Sequence, residues 1–223
     1  MAAIETDTAN LAVTITGATD LGGNVTTNNG DVTFNSAVIL SGGARTITTG
    51  ASVAGDIWFK NTVNGGQALG LTSGSGDIKF DVAVGGVAGQ ELGAVTINAA
   101  KAVTLGNTFT AASLSQNTAG TGAFTVGGAL TATTGAVTID AVSVDVNASI
   151  TTQGANQAVS ITGTTDLGGD VTTAGGAITF NSAVTLSGAT RTITTGALVG
   201  GNVDFVSTVD GGQNLALTAG TGD

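Results

Sequence analysis

The stretch Gly30-Asp-Val-Thr-Phe34 decides the fold, because its pattern returns along the whole chain. Side chains alternate along a β-strand, so Val32 and Phe34 point to one side and Thr33 to the other. Glycine followed by apolar residues two and four positions later begins at Gly30, Gly55, Gly76, Gly93, Gly122, Gly135, Gly176 and Gly201, with a variant at Gln157. From Gly30 to Gly176 there are seven steps over 146 residues, about 21 residues each, which is the length of one β-solenoid coil. The steps are unequal, so some of them mark different faces of the solenoid. The 146 residues therefore contain six or seven coils.

This rhythm predicts an all-β chain in which residues 1–223 form a single continuous β-solenoid, a parallel β-helix of about ten coils. The general preference for right-handed crossovers predicts a right-handed winding. Coils stacked about 4.8 Å apart would give a rod roughly 50 Å long. The spacing of Phe34, Phe59 and Phe80 predicts an internal aromatic stack. The chain has no Pro, which would remove donors from the ladders.

A longer repeat contains the short one. The run Ala12-Val-Thr-Ile-Thr-Gly returns as Ala158-Val-Ser-Ile-Thr-Gly, a shift of 158 − 12 = 146 residues. The match continues without a gap, and about two thirds of the paired positions are identical. Residues 2–147 are therefore interpreted as the first repeat and 148–223 as a partial second repeat. Neither end carries an atypical capping unit, so we expect the chain to be part of a longer one whose neighbouring repeats are its partners.

The composition excludes several functions. The chain has no Cys and no His, which excludes thiol nucleophiles, zinc fingers and Ser-His-Asp triads. Its net charge of -10 disfavours nucleic acid as a partner. No apolar run approaches the roughly 18 residues of a membrane span, so membrane insertion is not expected. No catalytic motif is visible, and the chain is not expected to be an enzyme or to need a cofactor.

Several runs resemble a known class of proteins. Thr-Asp-Leu-Gly-Gly-Asp170-Val-Thr-Thr, Gly-Ala-Ile-Thr-Phe180 and Val-Asp210-Gly-Gly-Gln are similar to the β-strand repeats of giant bacterial surface proteins, the filamentous-haemagglutinin-like adhesins and related exoproteins. The resemblance covers essentially the whole chain. It implies a parallel β-helix, export to the cell surface or beyond, and a role in adhesion or as a spacer.

Three side chains are candidates for contact with a ligand or partner. Ile57 and Phe59 take inward positions, so Trp58 should point outward, where it could stack on a sugar or anchor a partner or lie against a neighbouring turn. Arg45 and Arg191 occupy equivalent places in the two copies. They are expected to pair with nearby Asp, to shield a strand edge or to bind an anionic group.

Some carboxylates are candidates for catalytic or metal-binding groups. Asp77 and Asp81 could share a face, whereas the odd spacing of Asp140 and Asp145 sends them to opposite sides of a strand. Solvated surface carboxylates are the favoured interpretation. Gly-Ser-Gly-Asp77 is similar to part of a calcium-binding nonapeptide repeat, but the tandem register is missing, so calcium is left as an alternative only.

Outward threonines suggest one further hypothesis. Thr33, Thr96, Thr125, Thr138 and Thr179 lie at the centre of the recurring strand pattern. Flat threonine arrays resemble ice-binding surfaces, but here Trp58, Lys79 and Asp204 interrupt the series. Threonine also suits exposed strands in general.

The sequence therefore favours a non-catalytic stalk or filament segment of a large secreted or cell-surface adhesin. The alternatives are a carbohydrate- or cell-binding module that uses exposed side chains such as Trp58, and an ice-binding solenoid. Open strand edges also predict end-to-end association between chains.

Overall fold

The protein is a β-solenoid with three faces, which confirms the predicted fold class. The computed structural model describes residues 3–50, 55–117, 120–196 and 201–221. All pairings between its strands are parallel, and each strand pairs with strands about one coil earlier and later in the chain. Ten coils follow one another, and each passes through the faces in the order B, A, C. The direction of winding stays a prediction.

Face A includes Val32 and Phe34 of the stretch that begins at Gly30. It consists of β2 (Val13–Ile15), β5 (Val32–Phe34), β8 (Ile57–Phe59), β11 (Ile78–Phe80), β13 (Val103–Leu105), β15 (Ala123–Val126), the second halves of β17 (Val137–Val146) and β19 (Val159–Leu167), β22 (Val184–Leu186) and β25 (Val209–Asp210).

Face B precedes face A in each coil. It consists of β1 (Ile4–Ala9), β4 (Val25–Asn28), β7 (Arg45–Thr48), β10 (Leu69–Thr72), β12 (Leu92–Ala99), the second half of β14 (Phe109–Gln116), the first halves of β17 and β19, β21 (Ile178–Phe180) and β24 (Val203–Phe205).

Face C closes each coil. It consists of β3 (Thr19–Leu21), β6 (Val38–Leu40), β9 (Val63–Asn64), the single bridging residue Val84, the start of β14, β16 (Leu130–Ala132), β18 (Ile150–Ala155), β20 (Val171–Ala174), β23 (Arg191–Thr194) and β26 (Leu215–Thr218).

The inward side chains of the three faces form one continuous apolar core. The predicted stack is present: the ring centroids of Phe34 and Phe59 lie 5.0 Å apart and those of Phe59 and Phe80 lie 4.8 Å apart, and in both pairs the ring planes are nearly parallel. Phe109 extends the column from face C with an edge contact 5.4 Å from Phe80. Phe180 and Phe205 form a second stack, with ring centroids 5.2 Å apart.

The glycine that opens the pattern is required by close contact between coils. A Cβ added at Gly30 would lie 2.1 Å from the carbonyl oxygen of Leu11, in the coil below. At the equivalent Gly176 it would lie 2.0 Å from the carbonyl oxygen of Gln157. Any larger residue would push the two coils apart at this corner.

The long repeat does not contain a whole number of coils. Six coil steps along face A lead from Val32 to Thr165. Ile178, the equivalent of Val32 at 32 + 146 = 178, lies two thirds of a coil further, on face B. One unit therefore spans six and two-thirds coils, about 22 residues each, and equivalent residues of the two copies lie on different faces.

Buried hydroxyl groups close the corners between faces. Thr27 donates to the carbonyl oxygen of Gly30, and its equivalent Thr173 does the same with Gly176. Thr195 donates to Gly201 over 2.8 Å, as its equivalent Thr49 does to Gly55. These hydroxyls are buried and satisfy backbone carbonyls that water cannot reach.

Candidate functional site

Trp58 is the centre of the candidate site. It lies in the outward column of face A, between Thr33 in one neighbouring coil and Lys79 in the other. Its neighbours Ile57 and Phe59 are buried, whereas the indole is only partly buried. The prediction that Trp58 points outward is confirmed.

Charged groups surround the indole of Trp58. Its Nε1–H donates to Oδ2 of Asp81 over 2.7 Å. The Nζ atom of Lys60 lies 4.1 Å from the ring centroid, and that of Lys79 lies 5.8 Å from it. The ring therefore has one polar edge satisfied and carries cation–π contacts that hold its orientation. Trp58, Asp56, Lys60, Lys79 and Asp81 are called the Trp58 platform below.

Lys79 joins the platform to the carboxylates beside it. Its Nζ atom lies 3.2 Å from Oδ2 of Asp77 and 3.6 Å from Oδ2 of Asp56. Burial lowers the pKa of Lys79, but the hydrogen bond to Asp77 and the attraction of Asp56 and Asp77 outweigh it, so the pKa is raised above 10.5. Lys101 lies 4.0 Å from Oδ1 of Asp77. Of the three lysines of the chain, Lys60 and Lys79 therefore lie beside Trp58, and Lys101 lies beside Asp77.

An aspartate ladder borders the platform. Oδ1 of Asp31 accepts a hydrogen bond from the backbone N–H of Asp56 over 2.9 Å. Oδ1 of Asp56 accepts one from the N–H of Asp77 over 2.8 Å. Oδ1 of Asp77 is buried and accepts no hydrogen bond; the nearby cation is Lys101. The ladder holds successive coils in register and sets the carboxylates at fixed positions along the platform.

The two arginine side chains donate hydrogen bonds to backbone carbonyl oxygens. Nη1 of Arg45 donates to the carbonyl oxygen of Gly22 over 2.8 Å, and its Nε donates to Gly43 over 2.9 Å. Arg191 repeats this arrangement with the carbonyl oxygens of Gly168 and Ala189. The described residues show no ion pair between either arginine and an aspartate. Each guanidinium joins a turn to the coil before it, and this internal role accounts for its recurrence.

The carboxylate pairs considered from sequence have different positions. Asp77 and Asp81 share the outward side of face A, as expected, and contact Lys79 and Trp58. Asp140 and Asp145 do not face each other, because β17 bends between them and places them on faces B and A. The separation is confirmed, but a corner of the solenoid causes it rather than alternation along a straight strand.

Asp145 has a neighbour that sequence reasoning missed. It pairs in register with Asp166 in the next coil, and both carboxylates line an open groove of about 460 Å³ on face A. Ser143, Thr164 and Thr185 contribute hydroxyl groups to this groove. Within the described ranges, neither carboxylate has a hydrogen bond or an ion pair. The separation of 21 residues, one coil length, was the signal that could have revealed the pair.

The five threonines at the centre of the recurring strand pattern do not form one column. Thr33 and Thr125 lie on face A, and Thr96, Thr138 and Thr179 lie on face B. An unbroken column exists instead on face C, where registered pairs connect Thr110, Thr131, Thr151, Thr172, Thr194 and Thr218. The adjacent outward positions include Ala129 and Asp170, so the surface is a single line of hydroxyls without a regular second column.

Two kinds of feature are absent from residues 3–50, 55–117, 120–196 and 201–221. These ranges contain no group of three or more Asp, Glu, His or Cys that could hold a metal ion. No helix in these ranges has the length and apolar character needed to cross a membrane.

No protein-family model matches the sequence, no curated protein is significantly similar to it, and no solved structure is significantly similar to the fold.

Proposed function

We propose that this chain is a non-catalytic spacer, a stiff segment of a large secreted or cell-surface adhesin of bacteria. The observation that carries the proposal is the continuity of the three parallel ladders and of the single core over ten coils. Every coil is hydrogen-bonded to its neighbours, and bending the rod would break many backbone hydrogen bonds at once. Such a rod holds a distal region away from a surface without needing a catalytic group.

The spacer role predicts that length grows with the number of units. Inserting one further copy of residues 2–147 in register adds six and two-thirds coils, about 32 Å at about 4.8 Å per coil. Small-angle X-ray scattering should show the maximum dimension rising by that amount while the radius of the cross-section stays constant. A wider particle of unchanged length would contradict the spacer role. Antibodies against the chain should label intact cells of the source organism.

A binding role is the second candidate, and the Trp58 platform favours it. A partly exposed indole beside fixed carboxylates and ammonium groups offers a sugar ring an apolar surface and hydrogen-bond partners. A glycan array probed with the wild type and with Trp58→Ala tests this role. Binding that is lost in Trp58→Ala and retained in the control Asp204→Ala supports it; the absence of glycan binding by the wild type contradicts it.

A further inference from the structure

We propose that face A is a self-complementary surface through which two copies of this chain pair antiparallel, with Trp58 of one copy seated in the Asp145–Asp166 groove of the other. The two-fold axis runs along the strand direction, between the coil of Thr104 and the coil of Thr125. This operation keeps each position along a strand and reverses the order of the coils. The proposal does not depend on the spacer role.

The outward column of face A carries the first argument. Registered pairs give it the order Thr33, Trp58, Lys79, Thr104, Thr125, Asp145, Asp166 and Thr185. Reversal about the middle of this order sets Lys79 against Asp145, Trp58 against Asp166, and Thr33 against Thr185. A cation therefore meets an unpaired carboxylate, and an indole beside Lys60 meets the other one.

The two flanking columns carry the second argument. On one side, Asp56 and Asp77 come to face Thr164 and Ser143, which are uncharged. The hydroxyl of Ser143 can donate to Asp77, whereas that of Thr164 donates to the carbonyl oxygen of Val142 over 3.3 Å. On the other side, Asp81 comes to face Asn147. No like charges face each other in these rows, although the chain as a whole carries a net charge of -10. A random pairing of such acidic surfaces would bring carboxylates together.

Shape gives the third argument. The rows at the two-fold axis contain small outward residues, Ala102, Thr104 and Gly106 in one coil and Ala123, Thr125 and Gly127 in the next. Two sheets can approach to about 10 Å there. Trp58 then meets the coils of Asp145, Asp166 and Thr185, which line the groove of about 460 Å³. The aromatic side chain of the central column therefore faces the concave part of the same surface.

The area fits a weak, specific dimer. Eight coils of about 4.8 Å, each presenting about five residues when the flanking positions are counted with the strand, give a face of roughly 600 Å² per copy, or about 1,200 Å² in total, near the lower limit for specific interfaces. An antiparallel pair joins rods that point in opposite directions. If the spacer role holds, these would be rods anchored on facing surfaces rather than neighbours on one surface.

Sedimentation equilibrium at about 0.15 M salt, where the repulsion between the acidic chains is screened, tests the proposal. We expect a monomer–dimer equilibrium, with the emission of the single tryptophan shifting to shorter wavelength as the dimer forms. Asp145→Lys places an ammonium group opposite Lys79 and should weaken dimerisation at least tenfold, and Trp58→Ala should do the same. The matched control Asp204→Lys makes the same change of charge on face B and should leave the equilibrium close to that of the wild type.

Cross-linking tests the geometry independently. Thr33 and Thr185 lie seven coils apart in one chain, about 34 Å, which is too far for an intramolecular disulfide. The chain has no Cys of its own, so Thr33→Cys with Thr185→Cys should give a covalent dimer with a thiol-specific cross-linker that spans about 10 Å, the separation of the two packed sheets. Thr33→Cys with Thr179→Cys, on face B, should give little. A chain that remains monomeric at all concentrations, a dimer insensitive to Asp145→Lys and Trp58→Ala, or a monomer that binds a glycan or another protein through Trp58 would each overturn the proposal.

Discussion

The two copies of the long repeat, residues 12–77 and 158–223, have similar inward side chains but different outward side chains around Trp58. Phe59 and Phe205 are equivalent inward residues, and both stack on a phenylalanine of the preceding coil. Between the inward positions of the same strand, Trp58 is replaced by Asp204. Just beyond the strand, Lys60 is replaced by Val206. The core thus constrains inward positions in both copies, whereas the outward positions vary and carry the candidate site in the first copy alone.

The two copies also keep the groups that close their corners. Arg45 and Arg191 make matching bonds to backbone carbonyls, and so do Thr27 and Thr173. Yet the equivalent strands lie on different faces, because a unit holds six and two-thirds coils. Local corner chemistry is therefore transferable between faces, and the solenoid does not require a residue type to stay on one face.

The largest expected effect contrasts the equivalent phenylalanines. Phe59 is fully buried between two other rings, whereas Phe205 has a ring partner on one side and is partly exposed. Phe59→Ala should destabilise the chain by about 3–5 kcal/mol through the cavity it leaves. Phe205→Ala should cost clearly less. Urea unfolding followed by far-UV circular dichroism measures both, and equal losses would mean that the two stacks are equally enclosed.

The next largest loss of stability, from substitution of the equivalent corner glycines, should be the same in both copies. Gly30→Ala and Gly176→Ala each force a Cβ against a carbonyl oxygen of the coil below and should cost about 1–3 kcal/mol. Gly17→Ala is the matched control, because nothing lies within 4 Å of its added Cβ. In thermal unfolding, the midpoint temperature of the control should be close to that of the wild type. A tolerated substitution at only one of the two sites would show that the corners are not equivalent.

A smaller effect concerns the buried hydroxyls. Thr27→Val and Thr173→Val keep the shape of the side chain but leave the carbonyl oxygen of Gly30 or Gly176 without this donor. Each should cost about 1–2 kcal/mol. Because the two corners have the same hydrogen bonds, the two losses of unfolding free energy measured in urea should agree closely. An unchanged unfolding free energy at either site would mean that the hydroxyl does not stabilise that corner.

The smallest expected effect concerns the ion pairs of Lys79 and depends on pH. The pKa of Lys79 is raised in the folded chain, because the hydrogen bond to Asp77 and the attraction of Asp56 and Asp77 outweigh burial. A raised pKa contributes stability below the unfolded value of 10.5, and this contribution is lost as the pH rises through the folded value. Lys79→Met should therefore lower the urea midpoint at pH 9 and have less effect well above pH 11. A difference that does not depend on pH would assign the effect to packing.

Much of the fold was predictable from residues that repeat at one coil length. The alternation in Gly30-Asp-Val-Thr-Phe34 predicted the inward pair and the outward Trp58, and the spacing of the phenylalanines predicted their stack. The assignment of strands to faces was not predictable, because coil lengths vary and each corner absorbs a different number of residues. For this reason the chosen threonines fell on two faces, and the column on face C was missed.

The candidate site was predictable only in part. Outward exposure of Trp58 follows from strand alternation alone, since Ile57 and Phe59 must be inside. Its contacts with Asp81 and Lys79 depend on which coil stacks above it. Asp145 and Asp166 were likewise recognisable as a pair only after the register between β17 and β19 was known.

The sequence by itself determined the all-β class, the parallel stacking and the identity of the inward residues, because alternation and repetition are local and require no knowledge of where each corner turns. Only the tertiary structure decided which outward side chains meet across coils, since that depends on how many residues the corners of the intervening coil absorb. Coils of different length, such as those from Val32 to Ile57 and from Ile57 to Ile78, stack in register all the same, so the pairing cannot be calculated from a fixed period. The Trp58 platform and the acidic groove are therefore properties of the folded solenoid.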